Sequence, residues 1–154
     1  MDLQPGDRAP AFRLPTDGEG EVSLSELRGQ PFVLYFYPKD STSGCTLEAQ
    51  EFTKLHKKFS VLGVKLIGLS KDSVASHDKF KAHYKLSPTL ASDSDTKVAQ
   101  AYGVWVEKSL YGRKYMGMER ATFLVDEKGK IRQIWRKVKF SGHAEAVLAA
   151  AKTL

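Results

Sequence analysis

A second cysteine is missing from this chain, and Cys45 is the only thiol among its 154 residues. No disulfide can form within the chain, which excludes the small secreted scaffolds that depend on disulfides. A thioredoxin-type disulfide exchanger needs two thiols spaced C-x-x-C, whereas Cys45 is followed by Thr46, Leu47 and Glu48. One cysteine and four scattered histidines also provide no cluster of metal ligands. We expect neither a metal site nor a bound cofactor.

The chain also lacks a long apolar run. Its longest, Phe32 to Tyr37, is far too short to cross a bilayer. The first residues contain neither the basic start nor the apolar stretch of a signal peptide. Repeats and low-complexity tracts are absent as well. We therefore expect one domain spanning residues 1–154, located in the cytoplasm and without a membrane partner.

Basic residues outnumber acidic ones and give a formal net charge of +6. Such a balance suggests a nucleic-acid partner. The basic residues are, however, spread along the chain and recur on the polar faces of amphipathic segments, as Lys54, Lys57 and Lys58 do. We therefore expect no nucleic-acid partner, and we expect the charge to affect how fast anionic partners associate.

Hydrophobic periodicity predicts strands that alternate with helices. The predicted elements are an edge segment at 5–15, a helical turn between Ser23 and Gly29, strands at 32–37 and 61–69, helices at 45–59, 74–84 and 97–102, a short extended piece at 88–90, a hairpin of 121–125 with 131–135, and a last helix at 144–151. Alternating strands and helices require parallel crossovers, whereas the hairpin is antiparallel. The sequence therefore predicts an α/β fold, with a mixed central β-sheet flanked by helices on both faces.

Cys45 lies between a predicted buried strand and a predicted helix. A thiol at a helix N-terminus faces unpaired N–H groups and the positive end of the helix dipole, and both favour the thiolate. The alternative for a lone cysteine is a small core residue, but a polar loop containing Ser43 and Gly44 is not typical of a core position. We therefore predict a reactive thiolate at the carboxyl end of a central strand, where open α/β sheets bind ligands.

The residues around Cys45 resemble the peroxidatic motif of the peroxiredoxins. The motif Pro38-x-x-x-Thr42-x-x-Cys45 follows Tyr35-Phe36-Tyr37. Further segments resemble the bacterioferritin comigratory protein branch, also called peroxiredoxin Q: Gly6-Asp7-x-Ala9-Pro10-x-Phe12, Gly103-Val104-Trp105-x-Glu107-Lys108-Ser109 and Arg120-x-x-Phe123-Leu124-Val125-Asp126. The resemblance implies a thioredoxin-like fold and a thiol peroxidase that reduces hydrogen peroxide and organic hydroperoxides.

The motif and the wider resemblance together suggest roles for five residues. Cys45 is the expected nucleophile. Thr42 can fold its hydroxyl beside the sulfur and hydrogen-bond the peroxide, with helix capping as its alternative role. The N–H groups of Gly44 and Cys45 would add fixed donors, while Pro38 would rigidify the loop and screen the thiolate from water. Arg120 is expected near the sulfur only because the resemblance selects it. Without the resemblance, an arginine would be expected to be a solvated surface residue.

Two positions depart from the pattern of the family. Gln50 stands where many members of the branch have a resolving cysteine, and Ser43 stands where the family usually has proline. Oxidised Cys45 therefore needs an external thiol, for which thioredoxin, glutaredoxin and low-molecular-weight thiols are all open. Two other functions also stay open, a one-cysteine redox sensor and a hydrolase with a Cys–His dyad. Because the branch is often monomeric, we expect a monomer or a weak dimer.

Overall fold

The structure is a computed structural model that describes residues 2–154. Its elements are β1 (Arg13–Thr16), β2 (Gly20–Ser23), β3 (Phe32–Phe36), α1 (Ser43–Val61), β4 (Lys65–Ser70), α2 (Val74–Tyr84), β5 (Thr89–Ser92), α3 (Lys97–Ala101), β6 (Trp105–Leu110), β7 (Arg113–Met118), β8 (Ala121–Val125), β9 (Ile131–Trp135) and α4 (His143–Ala151). Every element predicted beyond residue 31 is present, although β4 begins only at Lys65 because α1 extends to Val61. Within the described range, no helix is long and apolar enough to span a membrane.

Seven strands form one sheet in the order β2-β1-β5-β4-β3-β8-β9. Strand β3 pairs in parallel with β4 and antiparallel with β8, so that Val33 lies opposite both Leu66 and Leu124. The mixed sheet that the sequence predicts is therefore confirmed. Strand β4 stands in the middle of the sheet, and β3 lies beside it. All residues of β3 are buried, as its unbroken apolar sequence requires.

Alternate residues of β3 face two separate hydrophobic cores. Phe32, Leu34 and Phe36 pack in one core with the N-terminal segment and α3. Val33 and Tyr35 pack in the other core with residues of α1, α2 and α4. Helices therefore cover both faces of the sheet, as predicted.

Near the N-terminus the structure differs from the sequence-based prediction. Residues 24–29 form consecutive turns in place of a helical turn, and Ser23 ends β2. Ser23 Oγ nevertheless accepts a hydrogen bond from Glu26 N at 3.3 Å, which is the contact that its position in a capping box predicts. Strand β1, from the proline-rich segment, is one strand inside the edge, because β2 pairs on its outer side.

The hairpin of β6 and β7 was not predicted. It forms a separate two-stranded sheet, and Tyr111 and Gly112 at its tip both have positive φ angles of 51° and 78°. Two such residues are typical of the type I′ turn that joins hairpin strands. Most of the hairpin's side chains are at least partly exposed, so its sequence shows no alternation of apolar and polar residues. Its carboxyl end leads through Glu119 to Arg120 and β8.

Candidate active site

The loop between β3 and α1 brings Cys45 to the sheet edge at which the parallel strands end. Thr42 occupies the N-cap position of α1, and Cys45 lies in the first helical turn. The first helical backbone bond runs from Thr46 N to the Thr42 carbonyl at 2.9 Å. The amides of Ser43, Gly44 and Cys45 precede that bond, so they have no carbonyl partner within the helix. The predicted arrangement of strand, loop and helix around Cys45 is therefore present.

Cys45 is only 2% exposed and packs in the core that contains Tyr35. Its sulfur lies 3.3 Å from Arg120 Nη2. Arg120 reaches it because β8 pairs antiparallel with β3 and Ala121 lies opposite Phe36. The residue before β8 and the loop after β3 therefore meet at the same sheet edge. The structure thus brings Arg120 and Cys45 together, as the sequence comparison suggested.

Glu48 is a further member of the site that sequence reasoning missed. It lies one turn after Cys45 on α1, is 1% exposed, and receives a hydrogen bond from Arg120 Nη1 to Oε1 at 2.7 Å. Burial raises the pKa of Glu48 to about 7, although the charge of Arg120 opposes this effect. The guanidinium therefore bridges Glu48 and Cys45 with separate nitrogens. The sequence could have indicated Glu48, because it follows Cys45 by three residues in a predicted helix and residues three apart share a helix face.

The same contacts stabilise the positive charge of Arg120. Burial alone would lower the pKa of Arg120, but Glu48 and Cys45 outweigh it and raise the pKa. Tyr35 Oη and Glu48 Oε2, which line the same interior, are buried without a hydrogen-bond partner among the described residues. Burial, followed by the charges of Glu48 and Cys45, raises the pKa of Tyr35 well above its usual range, so its hydroxyl stays neutral.

Gly44 permits the close approach of the guanidinium. A Cβ atom at this position would lie 3.2 Å from Arg120 Nη2 and 3.4 Å from a ring carbon of Phe140. The Phe140 ring centroid is 6.0 Å from Arg120 Cζ, so the ring covers another side of the same guanidinium. Phe140 is a second residue that sequence reasoning missed, and its separation from Cys45 along the chain left no local signal.

Thr42 and Pro38 lie in the loop that leads to the helix. Thr42 is exposed, and its hydroxyl donates to the Lys39 carbonyl at 2.8 Å, with no hydrogen bond to Cys45. It occupies the capping position, yet its side chain makes no capping hydrogen bond. Because its hydrogen is committed to Lys39, the hydroxyl presents lone pairs to its other neighbours. Pro38 is half-buried between β3 and this loop.

Among the described residues, no histidine lies within hydrogen-bond distance of Cys45. His56 contacts Ser87, and His77 contacts Asp40. His143 Nε2 lies 2.8 Å from Thr122 Oγ1, and burial together with the charge of Arg120 lowers its pKa to about 4. A neutral imidazole held by Thr122 forms no ion pair with Cys45. The Cys–His dyad of a cysteine hydrolase is therefore not formed.

Residues 5–134 match the AhpC/TSA family. The chain belongs to this family. Relatives place it in the branch that the motifs suggested. It is 50% identical to the putative peroxiredoxin bcp of Coxiella burnetii over 96% of this chain and 98% of that protein. It is 42% identical to peroxiredoxin Bcp of Bacillus subtilis over 100% of this chain and 98% of that protein.

Solved structures agree with this peroxiredoxin over nearly the whole chain. A mutant of peroxiredoxin Q from Xylella fastidiosa has a TM-score of 0.94 at 38% identity, covering 99% of this chain and 98% of that one. The bacterioferritin comigratory protein of Xanthomonas campestris, described for its alkyl peroxide reduction activity, has a TM-score of 0.88 at 44% identity, covering 92% and 90%. The thioredoxin-like fold is thereby confirmed, and the protein is a thiol-dependent peroxidase.

Proposed function

We propose that Cys45 is the nucleophile with which this peroxiredoxin reduces hydrogen peroxide and organic hydroperoxides. The observation that carries the proposal is the guanidinium of Arg120 at 3.3 Å from a sulfur in the first turn of α1. A lone pair of the thiolate forms a bond to the terminal oxygen of the peroxide while the O–O bond breaks. The electron pair of that bond leaves on the second oxygen, which takes up a proton and departs as water or an alcohol. Cys45 becomes a sulfenic acid.

Negative charge moves from sulfur to the departing oxygen during this displacement. Fixed donors that meet the departing oxygen lower the barrier, because they need no reorganisation as the charge develops. Arg120 Nη2 and the N–H groups of Gly44 and Cys45 are suited to this task. The two N–H groups precede the first helical bond of α1, from Thr46 N to the Thr42 carbonyl, so they have no carbonyl partner within the helix.

Thr42 would orient the incoming peroxide. While its hydrogen is donated to Lys39, its oxygen can accept a hydrogen bond from the O–H group of the peroxide. Pro38 would limit the motion of the loop and reduce access of water to the thiolate. The proposed substrate-binding residues are thus Pro38, Thr42, Gly44 and Arg120.

The sulfenic acid would be reduced by an external thiol. The first thiol forms a mixed disulfide with Cys45 and releases water, and a second thiol releases Cys45 as a thiol. Thioredoxin, glutaredoxin and low-molecular-weight thiols are the candidate reductants, acting in the cytoplasm on a monomer or weak dimer. Because Cys45 is only 2% exposed, the first turn of α1 would have to open before the external thiol can reach its sulfur.

The test is steady-state consumption of hydrogen peroxide and cumene hydroperoxide with each reductant in excess. The wild-type protein should turn over many times with at least one reductant, whereas Cys45→Ser should fold and consume no peroxide. Turnover retained by Cys45→Ser would overturn the assignment of the nucleophile. A single equivalent consumed with every reductant would favour the redox sensor.

A further inference from the structure

A second buried cluster of ionisable side chains lies beneath the loop that carries Thr42. At its centre is Asp40, whose side chain is only 3% exposed although it belongs to a loop. Its partner is His77 on α2, whose side chain has no exposed surface. Nδ1 of His77 lies 2.7 Å from Oδ2 of Asp40. None of the steps proposed for Cys45 uses either side chain.

Both ring nitrogens of His77 face hydrogen-bond acceptors. Nε2 lies 2.9 Å from the Ala91 carbonyl, which can only accept, so this nitrogen carries a hydrogen. Asp40 already accepts hydrogen bonds from the hydroxyls of Tyr37 at 2.6 Å and Ser76 at 2.8 Å. These bonds favour the carboxylate, and a carboxylate at 2.7 Å requires a hydrogen on Nδ1 as well. The contacts therefore fit an imidazolium paired with a carboxylate.

The charges around His77 agree with this protonation. Burial alone would lower the pKa of His77, but Asp40, the Ala91 carbonyl and Asp72 outweigh it and raise the pKa. Tyr37, which faces the ring from the end of β3, has a pKa raised by burial and by Asp40, so it remains a neutral donor. Asp72, in the segment before α2, acts on the ring through its charge. The groups that surround His77 are therefore two carboxylates, one neutral phenol and one carbonyl.

The same cluster fixes the backbone of the loop. The backbone N of Asp40 donates to Asp72 Oδ2 at 2.8 Å, which in turn accepts from Ser70 Oγ at 2.7 Å. The next residue, Ser41, has a φ of 64°, a left-handed conformation that is unfavourable for serine. Thr42 follows directly. Asp40 therefore anchors the bend at Ser41 to the rest of the protein. That bend determines where Thr42 and the start of α1 lie.

We propose that His77 is a positioning residue for the peroxidase reaction, acting as an imidazolium that holds Asp40 and thereby keeps Thr42 and the first amides of α1 in place around Cys45. This inference rests on the proposed role of Cys45. A neutral His77 cannot donate to both Asp40 and Ala91, so the loop loosens when the ring loses a proton. The contribution is complete at low pH and is lost as the pH rises through the raised pKa of His77.

The first experiment compares His77→Gln with His83→Gln, an exposed histidine on the same helix. A glutamine amide donates only from its nitrogen, so its oxygen must face one of the two acceptors. Oxidation of Cys45 by hydrogen peroxide, followed by stopped flow, should slow roughly ten- to hundredfold in His77→Gln, as expected when reacting groups are misplaced. His83→Gln should match the wild-type protein. The thiolate fraction of Cys45 should change by much less than the rate does, because its contact with the Arg120 guanidinium is untouched.

The second experiment is rescue by Asp40→Asn combined with His77→Gln. In this double variant the asparagine amide can donate to the glutamine oxygen while the glutamine amide donates to Ala91. The chain of hydrogen bonds is then restored without charge, so the rate should recover and the alkaline loss expected of the wild-type protein should be absent. Glu48, whose pKa is raised by burial to about 7, titrates in both proteins and cancels in the comparison.

The outcomes separate this inference from the proposed function. A wild-type protein whose Cys45 does not react with peroxide would overturn the proposed function. A reactive wild-type protein with an equally fast His77→Gln variant at every pH, or an unrescued double variant, would overturn the positioning role. If His77→Gln does not fold, nitrogen NMR of the wild-type protein decides. Two protonated ring nitrogens of His77 at neutral pH would support the inference, and one would refute it.

Discussion

Replacing Arg120 with alanine removes the side chain that donates to Cys45 Sγ and to Glu48 Oε1 at the same time. Two opposite unit charges at the 3.3 Å between Nη2 and Sγ attract by about 5 kcal/mol at an effective dielectric constant of about 20. Much of this attraction acts on the thiolate before the reaction as well as on the transition state. The barrier should therefore rise by about as much as it does when one oxyanion-hole donor is removed, roughly 2.7–4 kcal/mol, which slows the reaction a hundred- to thousandfold.

The variant should also change the protonation of Cys45 and Glu48, the two acids that the guanidinium contacts. The thiolate fraction of Cys45 at neutral pH should fall, because its nearest positive charge is gone. Glu48 should bind a proton, because burial already raises its pKa to about 7 with Arg120 present. Stopped-flow oxidation gives the rate, and the ultraviolet absorbance of the thiolate gives its ionised fraction.

Arg136→Ala is the matched control. Arg136 pairs with Glu119 at 2.7 Å, the same distance that separates Arg120 from Glu48, but it has no contact with Cys45. Its loss should leave the oxidation rate unchanged. An unchanged rate in Arg120→Ala, or an equal loss in both variants, would refute the reasoning.

Three further predictions follow from the same site. Thr42→Val should slow oxidation of Cys45 by about one to two powers of ten, because the peroxide loses the acceptor that orients it. Thr153→Val, which removes a similar hydroxyl-to-carbonyl bond far from Cys45 along the chain, should leave the rate unchanged, and equal rates in the two variants would remove Thr42 from the mechanism. The pKa of Glu48 is raised from 4.5 to about 7, so the folded state binds the proton more tightly than the unfolded chain. The free energy of unfolding should therefore fall by a few kcal/mol as the pH rises between these two values. Urea unfolding of Glu48→Gln should lack that fall, and a persisting fall would assign it to another group. Residues five apart on an intact helix are roughly 8–9 Å apart, beyond the roughly 7 Å limit for a disulfide, so Gln50→Cys should form a bond to Cys45 on oxidation only if the start of α1 unwinds. Peptide mapping without reductant would show that bond, and its absence would mean that the first turns of α1 stay closed.

The sequence predicted the elements whose residues bury apolar side chains in regular patterns. Strand β3 and helix α1 were recognisable because an unbroken apolar run precedes a helical stripe. The hairpin of β8 and β9 was also recognisable, because Asp126 to Gly129 provide a tight turn between two apolar runs. The hairpin of β6 and β7 was missed because most of its side chains are partly or fully exposed. Exposure removes the selection for alternating polarity on which such predictions depend.

The features of the site also differ in whether the sequence could predict them. The position of Cys45 at the start of a helix could be predicted from neighbouring residues alone. The contact with Arg120 depends on the antiparallel register of β8 against β3, which joins residues 75 apart in the chain. The pairing of Asp40 with His77 likewise joins residues 37 apart. Resemblance to a family supplied the first of these contacts, and nothing in the sequence indicated the second.

The claim that Cys45 is the peroxidatic nucleophile is tested most directly by trapping its first oxidation product. The reduced protein is mixed with one equivalent of hydrogen peroxide in the presence of dimedone and then mapped by mass spectrometry. A sulfenic acid adduct on the peptide containing Cys45, formed as peroxide disappears, is the expected result, and excess peroxide without dimedone should yield the sulfinic acid. Consumption of peroxide with Cys45 unmodified would contradict the account.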